Sequence, residues 1–180
     1  MTTTWKAFVF AVILAVPTVL LGQSVKNDWD KAYDFSKVKT FNVRIGTSWG
    51  NQLSENRVLT DISEALTERG LRRAPDGAAA DATVVIHGAT EQKTSLNTFY
   101  DGWGGYGYYG MGGGMGSSTT TVSEYTVGTL VVDMFDSGTK KLIFRGTASD
   151  ELSKDPKKNE KKSDKAAQKM FKEFPPKATS

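Results

Sequence analysis

Chemistry in this chain would have to start from a short inventory. His87 is the single histidine and there is no cysteine. Cysteine–histidine catalysis and histidine- or cysteine-rich metal sites are thereby excluded, and neither a metal nor another cofactor is expected. A serine–histidine–aspartate triad would have to use His87, which sits inside "VVIHG" with no G-x-S-x-G elbow anywhere in the chain. A strand histidine on the more polar face of a sheet is the plainer reading. Among the carboxylates, Asp133, Asp136 and Asp150 lie around a hairpin and Asp101 opens a glycine-rich tract. A glycosidase holds two carboxyls roughly 5–10 Å apart across a sugar cleft. Nothing in this spacing marks such a cleft, and Asp136 is explained as a turn residue. The expectation is a protein that is not an enzyme, with no catalytic residue to name.

The remaining chemistry is adhesive. Nine of the fifteen residues from Gly102 to Gly116 are glycine, and four more are Trp103, Tyr106, Tyr108 and Tyr109. Spellings such as "GYGYYG" resemble a dinucleotide loop, but that loop must lie between a strand and a helix, and here a strand follows. Binding of single-stranded nucleic acid calls for interleaved arginine, and the tract has no Arg or Lys. Two readings stay open. Glycine loses too much chain entropy on ordering to pack well, which favours a flexible insertion at about residues 99–118. The four aromatic rings can stack on a sugar or a protein surface at small entropic cost, which favours an adhesive loop for an envelope glycan or protein.

The elements that would position these residues follow from periodicity. Lys39–Val43 reads as a short strand with Phe41 and Val43 on one face. Ser54–Arg69 reads as a helix, with Val58, Ile62, Ala65 and Leu66 in one stripe, Ser54 as N-cap and Gly70 just past the end. "ATVVIHGATEQKT" is a second strand, with Ala82, Val84 and Ile86 sharing a face. "TTTVSEYTVGTLVVDMF" and "KKLIFRGTA" form a hairpin about the turn Asp136–Thr139, and Gly128 marks a bulge or a close approach. In the second of these strands Leu142 and Phe144 are expected to oppose Ile143 and Arg145. A last helix carries Ala166, Ala167, Met170, Phe171 and Phe174 as its apolar stripe and stops at Pro175-Pro176. The order β-α-β-β-β-α, with one stripe per helix, predicts an α/β (α+β) two-layer sandwich: a mixed sheet with both helices on one face.

Before the first strand, Lys6 precedes an uncharged run from Ala7 to Leu21, followed by small residues. That is the pattern of a secretory signal, residues 1–24, with cleavage after Gly22 or after Ser24. The run is short for a membrane span, which takes about 20 residues. No stable membrane anchor is expected after cleavage, and residues 25–180 form one exported domain, in the periplasm or cell envelope. Gln23 stands where a lipoprotein would carry its acceptor cysteine. With a net charge of +3, the chain is too mildly basic to imply nucleic acid. Its lysine excess lies in the C-terminal helix, where a solvated face explains it.

The stretches "DWDKAYDFSKVKTFNV", "DATVVIHG", "EYTVGTLVVDMFDSGTKKLIFRGTA" and the helix ending "FKEFPP" together resemble a bacterial envelope family catalogued as domain of unknown function 4136. Members of that family often carry a lipobox cysteine and a Gly/Tyr/Trp-rich tract before the hairpin. This chain has the tract without the cysteine. The resemblance implies a fold and an envelope location and supplies no activity. The functional expectation is a non-enzymatic binding or scaffolding module. The alternatives are a small carboxylate-dependent carbohydrate-active hydrolase and a purely structural component of an envelope complex. The oligomeric state is left open.

Overall fold

In the computed structural model the described residues are 23–100 and 118–176, with the side chains of 96–100 and 118–119 left aside. The strands are β1 (Ser24–Trp29), β2 (Thr40–Thr47), β3 (Arg72–Arg73), β4 (Ala82–Tyr100), β5 (Ser118–Asp136) and β6 (Leu142–Glu151). The helices are α1 (Gln52–Glu68) and α2 (Pro156–Met170), with a 3-10 turn at Phe35–Lys37. They form one six-stranded sheet in the order β1-β6-β5-β4-β2-β3. β2 runs parallel to β4 and to β3, while β4–β5, β5–β6 and β6–β1 are antiparallel. The expected mixed sheet and two-layer sandwich are present.

The alternation of the strands decides which face the helices cover. Phe41, Ala82, Val84, Ile86, Val132, Met134 and Ala148 are buried, and they share one core with Val58, Ile62, Ala65 and Leu66 of α1 and Ala166, Ala167 and Met170 of α2. Both helices therefore lie on the same side. Phe171 and Phe174 follow α2 and close that core with Phe144, stacked at 5.4 Å and edge-to-face at 5.6 Å. The docking of α2 depends on Gly146: a Cβ there would fall 2.3 Å from Met170 Sδ.

Four local expectations are corrected. α1 starts two residues earlier, because Asn51 and not Ser54 is the N-cap, its side chain accepting from the Ser54 amide. β1 and β3 are additional edge strands. β1 shows too little apolar alternation to be read as a strand, and β3 is two residues long. On β6 the register shifts between the Met134 and Phe135 pairings, so Phe135 faces Leu142 while Met134 faces Phe144. Ile143 and Phe144 both join the core, and Leu142 is left exposed; a bulge interrupts simple alternation in this way. Finally, β4 and β5 pair continuously to Tyr100 and Ser118, so the strands run further than their apolar pattern does.

Candidate functional site

Three features stand outside the packed core. The first is a polar row across the face of the sheet that the helices leave open. Arg145 donates from Nε and Nη2 to the two carboxylate oxygens of Asp133, each at 2.6 Å. His87 Nε2 lies 4.0 Å from Asp133 Oδ2, and Thr47 Oγ1 is 2.8 Å from His87 Nδ1. β2, β4, β5 and β6 contribute one residue each. Gly46 is the extra residue of a bulge on β2; a Cβ there would fall 2.5 Å from His87 Cε1 and from Val85 Cγ1, so a side chain at this position would collide with both.

A threonine, a histidine and an aspartate in a line have the composition of a triad but not its geometry. Both Asp133 oxygens are taken by Arg145, and the 4.0 Å gap to Nε2 exceeds a hydrogen bond. His87 does lie on the polar face, as its strand parity indicates. The row acts as a cross-strand ladder that pairs the buried Asp133 carboxylate.

The second feature is a cleft of about 400 Å³ between the first turns of the two helices and the sheet beneath them. Its apolar lining includes Trp49, Val58, Leu130, Ala148, Leu152 and Ala166. Two glycines shape the floor. A Cβ on Gly88 would meet Trp49 Cε3 at 2.2 Å, and one on Gly128 would meet Leu152 Cδ2 at 2.8 Å, so both walls rest directly on strand backbone. Gly128 is thus a close approach. Trp49 is fixed by α1: its amide donates to Glu55 Oε1 at 3.0 Å and its indole Nε1 to Ser54 Oγ at 3.3 Å.

Polar groups ring this slot unevenly. On the α2 side, Lys162 Nζ is bound to Asp150 Oδ1 at 3.1 Å and to the Glu151 carbonyl, and Glu160 is exposed at the rim. Gln23 Nε2 donates to the Lys162 carbonyl at 2.7 Å, tying the chain just before β1 to α2. On the α1 side, Arg57 is half-buried and has neither an ion pair nor a hydrogen bond among the described residues. Between the helices, Ser163 Oγ donates to Asp61. Burial pushes the Asp61 carboxyl up, the Ser163 bond opposes this, and the nearby Asp164, Glu64 and Glu160 charges add to it.

The third feature is an arm. The pairing of β2 to β4 ends at His87 and that of β6 to β5 ends at Val127, while β4 and β5 continue together from Lys93–Tyr125 to Tyr100–Ser118. Eight residue pairs at about 3.3 Å each carry this ribbon roughly 25 Å from the body. No third strand pairs with it among the described residues. Residues 101–117 join its two ends in sequence. The expected binding residues Trp103, Tyr106, Tyr108 and Tyr109 belong to that segment and lie outside the described residues, as does most of the expected signal segment.

Periodicity missed both the cleft and the row. The signal for the row was two charged residues, Asp133 and Arg145, inside otherwise apolar strands. The signal for the cleft was Arg57 flanking the α1 stripe and a tryptophan in a short loop between Gly46 and Gly50.

Residues 25–176 match the family described as Domain of unknown function (DUF4136). A solved DUF4136 family protein from Bacteroides thetaiotaomicron VPI-5482 superposes with a TM-score of 0.52 at 14% identity, over 85% of this chain and 96% of that one. A PDZ domain protein from Parabacteroides distasonis ATCC 8503 gives 0.55 at 13% identity, over 86% of this chain and 36% of that one. The present chain thus spans about a third of the Parabacteroides protein. A PelC dodecamer from Paraburkholderia phytofirmans gives 0.50 at 13% identity, over 83% and 95% of the two chains. At these identities the likeness is one of fold. No curated protein matches the chain significantly.

Proposed function

The chain belongs to the DUF4136 family, and from that premise we propose that it is an exported, non-enzymatic binding or scaffolding module of the cell envelope that works by contact through its arm. The observation that carries this reading is the two-stranded ribbon, along whose edges no third strand pairs among the described residues. Such edges offer rows of backbone donors and acceptors to an added strand. An isolated ribbon is marginally stable in water, so its length is a cost that a partner would offset. The aromatic tract joining the ribbon's ends adds stacking surface. The signal pattern ahead of Gln23 supports export. PelC, which shares the fold, forms a dodecamer, which is consistent with a scaffold built from repeated copies.

The test is in-cell crosslinking and pull-down from whole envelopes. The parent is compared with a variant in which Trp103, Tyr106, Tyr108 and Tyr109 are all serine. A glycan or protein partner captured by the parent and lost in the variant is the expected result. Identical capture by both, or none by either, would remove the arm from the mechanism.

One observation favours the hydrolase alternative, namely that Asp150 and Glu160 line the same cleft. Asp150 is already committed to Lys162, however, and Glu160 is exposed. Neither has the water-poor surroundings that a general acid needs. Glycan hydrolysis by the parent that is lost in both Asp150→Asn and Glu160→Gln would reinstate it.

A further inference from the structure

We propose that the cleft between α1 and α2 is a binding site for an amphipathic monoanion, a long-chain aliphatic carboxylate whose chain lies between Trp49 and Leu152 and whose head pairs with Arg57. This site is separate from the arm and stands whether or not the arm binds a partner.

The size and lining supply the first half of the argument. About 400 Å³ falls in the range of ligand pockets, roughly 300–1,000 Å³. Trp49 and Leu152 rest on the glycines of the floor, and Ala148 and Ala166 are too small to fill the space between. The result is an apolar slot held open by backbone, without a side chain of its own to occupy it.

Charge supplies the second half. Arg57 is half-buried as a residue, and no counter-ion meets its guanidinium among the described residues. Its planar fork matches a carboxylate in two parallel hydrogen bonds. The first turn of α1, with Asn51 and Ser54 on the cleft wall, adds the positive end of a helix dipole on the same side. The other cation in the lining, Lys162, is neutralised by Asp150. Arg57 is the uncommitted cation of the lining and sets the head at the α1 wall, while Glu160, the lining's uncommitted carboxylate, opposes a second negative charge and so limits the ligand to a monoanion. A neutral apolar ligand would leave Arg57 unpaired, and a free inorganic anion would leave the slot empty.

The experiment titrates the purified full chain with dodecanoate, kept below its micelle concentration, against 1-dodecanol and inorganic phosphate. Calorimetry and tryptophan emission are read together, since Trp49 forms one wall. Dodecanoate is expected to bind saturably with a change in emission, and both controls are expected to bind more weakly. Arg57→Gln should weaken dodecanoate by about tenfold or more, the effect of losing a charge-assisted bond. It should leave dodecanol unchanged, and Arg57→Lys should retain part of the affinity. Arg57 makes no polar contact among the described residues, so Arg57→Gln is expected to melt with the parent. Unsaturable uptake, an Arg57→Gln variant that binds dodecanoate as the parent does, or equal binding of dodecanol or phosphate would each overturn the proposal.

Discussion

Replacing Arg145 with alanine tests whether the open-face row is held by its buried member. Asp133 retains 5% side-chain exposure and Arg145 retains 52%, and two 2.6 Å bonds join them across directly paired positions of β5 and β6. An exposed ion pair is worth about 0–1 kcal/mol, whereas stripping one partner from a buried pair costs about 3–5 kcal/mol. What matters is which charge is left behind. Arg145→Ala strands a buried carboxylate that keeps no ion-paired arginine or lysine among the described residues, with the His87 imidazole 4.0 Å away. Truncation also admits some water, so a loss of about 2–3 kcal/mol is expected. Asp133→Ala leaves an arginine that already reaches solvent, and should cost about 1 kcal/mol less. The double variant Asp133→Val/Arg145→Val, with no charge left to bury, should recover most of the loss. Equilibrium urea unfolding with a common slope reads all three. An Arg145→Ala loss below about 0.5 kcal/mol, or an Asp133→Ala loss that exceeds it, would refute the reasoning.

Three further outcomes are expected. Gly146→Ala places a methyl 2.3 Å from Met170 Cγ and Sδ and should cost about 1–3 kcal/mol by overpacking; combined with Met170→Ala, the unfolding losses should sum to less than additive. Gly88→Ala drives a methyl into the Trp49 ring, so tryptophan emission should shift to the red and dodecanoate affinity should fall, while an unchanged spectrum would mean that Trp49 does not rest on the floor. Tyr33 donates to Asp136 at 2.6 Å; that bond and those from Thr139 hold Asp136 down at about 2, and burial with the Asp136 bond pushes Tyr33 up to about 12. The Asp136 contribution is therefore present above its ordinary 3.8 and lost as pH falls through about 2, and the Tyr33 contribution is present below 10 and lost as pH rises through about 12. Tyr33→Phe should flatten the alkaline loss in a pH series of thermal midpoints.

Local features of the chain were legible because their causes are local. The α1 stripe of Val58, Ile62, Ala65 and Leu66 follows from 3.6-residue periodicity, and all four are buried. Asp136 in its turn is equally local, accepting from the Thr139 amide at 2.7 Å. Where the reading failed, the cause lay elsewhere in the chain. Ser54 is an acceptable cap, but Asn51 lies where the loop from β2 delivers it. Leu142 and Ile143 are equally apolar, and the bulge opposite Phe135 decides which is buried.

The amino-acid sequence alone determined the layer architecture and the narrow chemical inventory, because composition and periodicity act within a few residues of one another; the family came from the resemblance of whole stretches such as "EYTVGTLVVDMFDSGTKKLIFRGTA". Tertiary structure alone decided that Thr47, His87, Asp133 and Arg145 fall in one row. It alone also set Arg57 beside a slot walled by Trp49 and Leu152, and carried β4 and β5 past their neighbours as an arm. The row follows from the strand order β1-β6-β5-β4-β2-β3, which brings Thr47 and Arg145 together from 98 positions apart. No periodicity of 2 or 3.6 residues encodes a partner at that distance.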